Sequence, residues 1–259
     1  MTDARRQDGS AGDADYGVIG RVYATYRQPE PRIAAFINDA LGDAETVLNV
    51  GAGAGSYEPT DRMVTAVEPS AEMRRQRPAH LPVAIDAVAE TLPFPDGHFD
   101  ASMTTFSVHQ WKDLAAGLGE MRRVTRGPVL VLSCDPERLD GFWLNEYAPE
   151  VIQTEARRYP GLRAIAAVLG AASTILPVPI PLDCRDGFNE AYYGRPERLL
   201  EEGARVACSA WSFVPPETVE RFSRTLGHDL ESGRWDERHG HLRSLPEFDG
   251  SLRLVVGTS

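Results

Sequence analysis

The chain has only three cysteines in 259 residues, Cys134, Cys184 and Cys208, an odd number at wide and irregular spacing. That pattern fits neither a disulfide framework nor a zinc site, so free thiols, a reducing cytoplasm and no bound metal are expected. Long apolar runs are also missing. Nothing approaches the roughly 18 apolar residues of a membrane span, and the polar, charged residues 1–15 lack the apolar stretch of a signal peptide. Those fifteen residues read as a disordered tip. Positive charge is scarce: 27 Lys and Arg stand against 38 Asp and Glu, a formal net charge of -11. Such a chain is poorly suited to tracking a polyanionic backbone, which argues against nucleic acid and for a small-molecule partner. The one local basic run, Arg74, Arg75 and Arg77, reads as a solvated helix face.

What is present is a regular alternation of strand and helix signals over the first 135 residues, in a chain whose 42% hydrophobic content can build a large core. Strands are expected over Thr46–Val50, Met63–Val67, Pro82–Ile85, Phe99–Thr105 and Pro128–Ser133. Helices are expected over Arg32–Leu41, after Ser70, and over Asp113–Thr125. Only about 13 positions separate Val50 from Met63, so the helix between them must be a short stub. Beyond Asp135 helical patterns dominate, the proline-containing segment Thr174–Leu182 suits only an edge strand or irregular chain, and Leu252–Val256 reads as a closing strand. Alternation of this kind predicts an α/β fold with a doubly wound, mostly parallel sheet and a ligand at the carboxyl ends of its strands.

The strand Val47–Val50 runs straight into Gly51, Gly53 and Gly55. Glycine lets the backbone take left-handed angles and brings bare peptide N–H groups up to a ligand. The next strand ends in Glu68, where a carboxylate can accept hydrogen bonds from a ribose diol. Ser56 stands where the dinucleotide fingerprint needs its third glycine, which weakens a reading as an NAD-dependent oxidoreductase.

Four segments together carry a resemblance: Val47–Gly55, Ala66–Met73, Ala89–Asp100 and Met121–Val124. In order and spacing they are similar to the class I S-adenosyl-L-methionine (SAM)-dependent methyltransferases, in the small-molecule branch of the ubiquinone and menaquinone enzymes. The resemblance implies a Rossmann-like methyltransferase fold with a seven-stranded sheet. It implies a helical lid over 16–44, a SAM-binding core over 45–135, and helical cap insertions with closing strands over 136–259. It also implies methyl transfer from SAM, leaving S-adenosyl-L-homocysteine, to carbon, nitrogen or oxygen of a small aromatic or hydrophobic acceptor, by a monomer or homodimer. A protein that binds SAM without methylating is the alternative. On individual residues, it places Gly51, Ala52, Gly53 and Gly55 along the methionine and ribose, Glu68 on the ribose hydroxyls, and Pro69 and Met73 near the adenine. Val88 and Ala89 border the adenine edge, Phe106 and Ser107 face the sulfonium, and Arg27 meets the cofactor carboxylate. Two positions depart from the family pattern: Asn49 replaces a common acidic residue, and Val88 an Asp that receives the adenine amine.

Two residues are expected near the chemistry. His109, just past the strand Phe99–Thr105, is suited to accept a proton near neutrality, or orders its loop. Tyr23, spaced with Tyr16 and Tyr26 on one helical face, could orient an acceptor. His98, His228, His239 and His241 read as exposed, and the aromatic clusters Phe142–Tyr147, Phe188–Tyr193 and Trp211–Phe213 as walls of the acceptor pocket or as core.

Overall fold

The structure is a computed structural model that describes residues 25–258. The expected disordered tip 1–15, Tyr16 and Tyr23 lie outside the described residues.

Helix α1 (Pro31–Leu41) starts on a proline at its first position, with Glu30 accepting the Arg32 amide, and ends at Gly42, whose φ is 55°. Its apolar face, Ile33, Ile37 and Leu41, is fully buried. Strands β1 (Thr46–Val50), β2 (Met63–Val67), β3 (Ala101–Thr105) and β4 (Val129–Cys134) follow, with α2 (Ala71–Arg75) after β2 and α3 (Leu114–Val124) between β3 and β4. Short helices α4 (Leu144–Tyr147), α5 (Pro149–Arg158) and α6 (Leu162–Leu169) lead to β5 (Thr174–Pro177). A two-stranded ribbon, β6 (Ile180–Pro181) with β7 (Glu247–Phe248), brackets α7 (Glu202–Val206), α8 (Pro216–Glu231) and α9 (Arg234–His239), and β8 (Leu252–Gly257) closes the main sheet.

The main sheet has six strands in the order β2-β1-β3-β4-β8-β5. Its first four strands are mutually parallel, and β8 runs antiparallel to both β4 and β5. The strand order reverses between β1 and β3, so the carboxyl ends of these two strands flank the crevice where ligands bind in open α/β sheets. β4 is buried at every residue, as a central strand covered on both faces must be.

Three expectations change. The strand expected over Pro82–Ile85 survives only as an isolated parallel bridge between Ile85 and Val67, so the sheet has six strands where seven were expected. Val83 is 90% exposed there; with Pro82 contributing no amide hydrogen, the segment cannot hold a full ladder. The stub helix between β1 and β2 does not form, and residues 51–62 are turns and bends, with positive φ at Gly51, Gly53, Gly55 and Tyr57. The helix expected over Trp143–Arg158 is split at Ala148, ahead of Pro149.

The edge strand β5 and the closing strand β8 form as expected. Cys134, Cys184 and Cys208 are buried free thiols. Among the described residues no helix is long and apolar enough to cross a membrane.

Candidate active site

The turn after β1 is shaped by what crowds it. A Cβ on Gly51 would lie 1.9 Å from Ser107 Oγ, and one on Gly55 would lie 2.2 Å from a Leu81 methyl. Gly51 and Gly55 also hold φ at 66° and 96°, angles that side chains disfavour. Glu68, at the end of β2, binds this turn directly: Oε2 accepts the Gly53 amide at 2.8 Å and Oε1 the Ser70 amide at 2.8 Å. Ser70 in turn caps α2 by accepting the Met73 amide at 3.3 Å. One carboxylate thus ties the glycine turn to the start of α2. Burial pushes the Glu68 carboxyl up, and these two amides with Arg74 and Arg77 pull it back down.

Around this unit lies a cavity of about 830 Å³ including its open mouth. Of the residues expected to hold a cofactor, Arg27, Gly51, Ala52, Gly53, Glu68, Pro69, Met73, Val88, Ala89, Phe106 and Ser107 line it. Gly55 does not; it shapes the turn against Leu81 from behind. His109 is also absent from this wall and lines an adjoining cavity of about 440 Å³, including its open mouth, that shares Arg27 and Phe106 with the first. Its ring lies 4.5 Å from that of Tyr159.

The partition between the two cavities carries residues that sequence reasoning missed. Asp186 is buried, pairs with Arg27 through the guanidinium Nε, and accepts the Tyr57 hydroxyl at 2.8 Å. The Arg27 guanidinium lies 5.0 Å from the centre of the Phe106 ring. Tyr57 and Phe106 are the two non-glycine residues with positive φ among those described, at 64° and 50°, and both line the larger cavity. Such angles cost of order 1–3 kcal/mol each and persist only where the surroundings fix them. Here the Phe106 amide donates to Leu132 at 3.0 Å and Asp186 holds the Tyr57 hydroxyl. No spacing rule connects Asp186, 129 positions further along, to Tyr57.

Other expectations are corrected in detail. Arg77 is no solvated face: it is 4% exposed and paired at 2.8 Å with Glu58, itself fully buried. Glu58 accepts the Asn49 amide at 3.0 Å, so a carboxylate stands beside the position where the family pattern has its acid, with Arg77 balancing its charge. His239 is half-buried and lies 3.1 Å from Glu146, whereas His98, His228 and His241 are exposed as expected. Trp143, Tyr147, Tyr192, Tyr193 and Trp211 fill the hydrophobic core. Of the aromatic clusters only Phe188 reaches a wall of either cavity.

Residues 48–131 match the family described as "Methyltransferase domain". Over 165 residues, 52% of this chain and 68% of the relative, the sequence is 36% identical to the demethylmenaquinone methyltransferase of Beutenbergia cavernae. The chain belongs to the class I SAM-dependent methyltransferases. A solved Anabaena variabilis structure, described as a candidate methyltransferase of an antibiotic biosynthesis pathway, superposes with a TM-score of 0.83 at 28% identity. That superposition covers 90% of this methyltransferase and 99% of the other chain. A Thermotoga maritima SAM-dependent methyltransferase shares the fold with a TM-score of 0.55 at 13% identity, covering 94% of this chain and 99% of its own. The enzyme therefore uses SAM and acts on a small molecule. The glycine turn, free of side chains where Ser107 and Leu81 close in, and the buried Glu68 beside it suit a nucleoside with a ribose diol.

Proposed function

We propose that this enzyme seats SAM in the larger cavity and transfers its methyl group to an acceptor held in the smaller one. The observation that carries the reading is the Glu68–Gly53 contact at the rim of the larger cavity. With one backbone amide bound to each oxygen, Glu68 keeps lone pairs for the ribose hydroxyls. The backbone of Gly51, Ala52 and Gly53 would follow the methionine and ribose, with Gly55 fixing the turn. Pro69, Met73, Val88 and Ala89 would pack on the adenine through apolar contact, since Val88 offers no side-chain acceptor. Arg27 would meet the cofactor carboxylate, its own orientation fixed by Asp186.

SAM supplies an electrophilic methyl on a sulfonium whose departing sulfur is neutral, so no residue need protonate a leaving group. What remains for the protein is positioning and desolvation. Phe106 and Ser107 face the cavity at the end of β3, where they would border the sulfonium. Ser107 is fixed there because its Oγ accepts the Trp111 indole N–H at 3.0 Å. His109 and Tyr23 are the residues proposed to act on the acceptor, His109 from the wall of the smaller cavity. A small aromatic or hydrophobic metabolite is the proposed acceptor class.

Isotopically labelled SAM incubated with metabolite extract and the enzyme, followed by mass spectrometry, should show a small molecule gaining the labelled methyl. Cofactor binding without label transfer to any acceptor would instead favour a SAM-binding protein that does not methylate.

A further inference from the structure

Among the described residues, the smaller cavity is lined by one carboxylate, Glu155. Glu155, on α5, is half-buried because part of its surface faces this cavity. Its Oε2 accepts the Asn189 amide at 2.8 Å, and among the described residues no hydrogen bond reaches Oε1. Asn189 is itself fixed, since its Oδ1 accepts the Trp211 indole N–H at 3.0 Å. The carboxylate is therefore held with one oxygen turned to the cavity. Burial pushes the Glu155 carboxyl up, and Asn189, Arg158 and Arg27 lower it.

We infer that the smaller cavity seats the methyl acceptor and that Glu155 Oε1 receives the hydrogen bond, and then the proton, of a neutral aromatic hydroxyl on that acceptor. This rests on the methyltransferase reading of the larger cavity. Three features select the chemistry. The wall shared with the cofactor cavity consists of Arg27 and Phe106, whose ring, 5.4 Å from that of Phe188, gives an aromatic acceptor an apolar surface next to the methyl donor. An isolated hydrogen-bond acceptor facing a cavity calls for a donor on the ligand, because leaving it unpaired on binding is costly. Two guanidiniums, Arg27 on the wall and Arg158 nearby, act on the same carboxylate, so the cavity does not favour an ammonium. A protonated amine would also lack the lone pair that attack requires.

The balance is simple. The hydroxyl proton passes to Glu155 Oε1, the oxygen's electron pair forms the new bond to the methyl carbon, and the carbon–sulfur bond breaks with its pair retained on a neutral sulfur. The proton then returns to solvent.

The test uses the full-length enzyme saturated with S-adenosyl-L-homocysteine, with phenol, toluene and benzylamine as probes in calorimetry and saturation-transfer NMR. Phenol should bind at least about ten-fold more tightly than toluene, a preference of about 1.4 kcal/mol, and benzylamine no better than toluene. Glu155→Leu should abolish the phenol preference while leaving toluene unchanged. With SAM in place of S-adenosyl-L-homocysteine, anisole should form. Glu155→Gln, whose amide oxygen still accepts a hydrogen bond, should keep phenol affinity and lose anisole formation by about a hundred-fold or more; His109→Ala should lose less. Retained S-adenosyl-L-homocysteine affinity shows that each variant is folded. Equal affinity for phenol and toluene, tighter binding of benzylamine, cresol in place of anisole, or full activity in Glu155→Gln would each overturn the assignment. Should Glu155→Leu and Glu155→Gln both fail to fold, the wild-type probe ranking and product identity decide it. If the folded wild type does not bind S-adenosyl-L-homocysteine, the methyltransferase reading itself fails, which is a separate outcome.

Discussion

Glu68 and Gly53 are joined by a 2.8 Å hydrogen bond from the glycine amide to the carboxylate, so the acid proposed to hold the ribose and the glycine turn form one unit. Glu68 is 7% exposed, and replacing it removes the carboxylate that accepts the Gly53 and Ser70 amides. Glu68→Ala should weaken binding of S-adenosyl-L-homocysteine by about 1.5–3 kcal/mol, measured by calorimetry, and lower thermal stability as the Gly53 and Ser70 amides lose their acceptor. Unchanged affinity would mean that the ribose is held elsewhere.

Gly51 is intolerant of any side chain for two independent reasons, its φ of 66° and the 1.9 Å approach of Ser107 Oγ to the place of a Cβ. Gly51→Ala should cost at least about 2 kcal/mol in chemical denaturation, combining backbone strain with a steric overlap. Adding Ser107→Gly should restore only part of that loss, because it relieves the overlap and leaves the angle. Complete rescue would show that the backbone angle costs nothing.

Asp186 holds Arg27 and Tyr57 together at the partition between the cavities. It is 2% exposed, so truncating it strips a buried pair of one partner. Asp186→Ala should destabilise the fold by about 3–5 kcal/mol and weaken cofactor binding, while Tyr57→Phe, which removes a single hydrogen bond, should cost about 1 kcal/mol. Denaturation curves of the two variants and their double mutant measure the coupling, and strict additivity would contradict the network.

Glu190 makes a contribution to stability that falls as pH rises. It is buried, with both oxygens accepting from Ser251, and burial raises its pKa from 4.5 to about 7. A folded pKa above the unfolded value means that the native state binds the extra proton between those two values. The Glu190 contribution is therefore fully present below about pH 4.5 and declines as pH rises through 7. The decline from this group is of the order of 3 kcal/mol, and Glu190→Gln should flatten it. Thermal melts from pH 5 to 8.5 check this; a variant whose melting temperature still falls as steeply as the wild type would refute it.

Much of the fold was legible because it rests on local signals. The run Val47–Val50 ending in Gly51, the acid at Glu68 and the apolar run before Cys134 each state their role within a few residues. Eleven of the twelve expected cofactor residues line one cavity, and Gly51, Ala52, Gly53, Glu68, Pro69, Phe106 and Ser107 do so because they sit just past the ends of β1, β2 and β3. Three failures were local too: Pro82 disqualifies a third strand, the short crossover leaves no room for a helix, and Gly55 faces Leu81. What could not be read was long-range. Asp186 and Glu155 come from the loosely patterned second half and meet Tyr57, Arg27 and Asn189 only through tertiary packing. Arg77, which composition assigns to the surface, is buried because Glu58 neutralises it. The aromatic clusters were ambiguous in principle, because ring-rich segments suit a pocket wall and a core equally, and here the core took nearly all of them.

The cavity around Gly51, Gly53 and Glu68 is proposed to hold SAM. Calorimetric titration of S-adenosyl-L-homocysteine into the purified enzyme tests it most directly. A single saturable site per chain, weakened by Glu68→Ala and not displaced by NAD, is the predicted result; a folded enzyme that gives no binding heat, or one that NAD and not SAM protects against thermal unfolding, would contradict it.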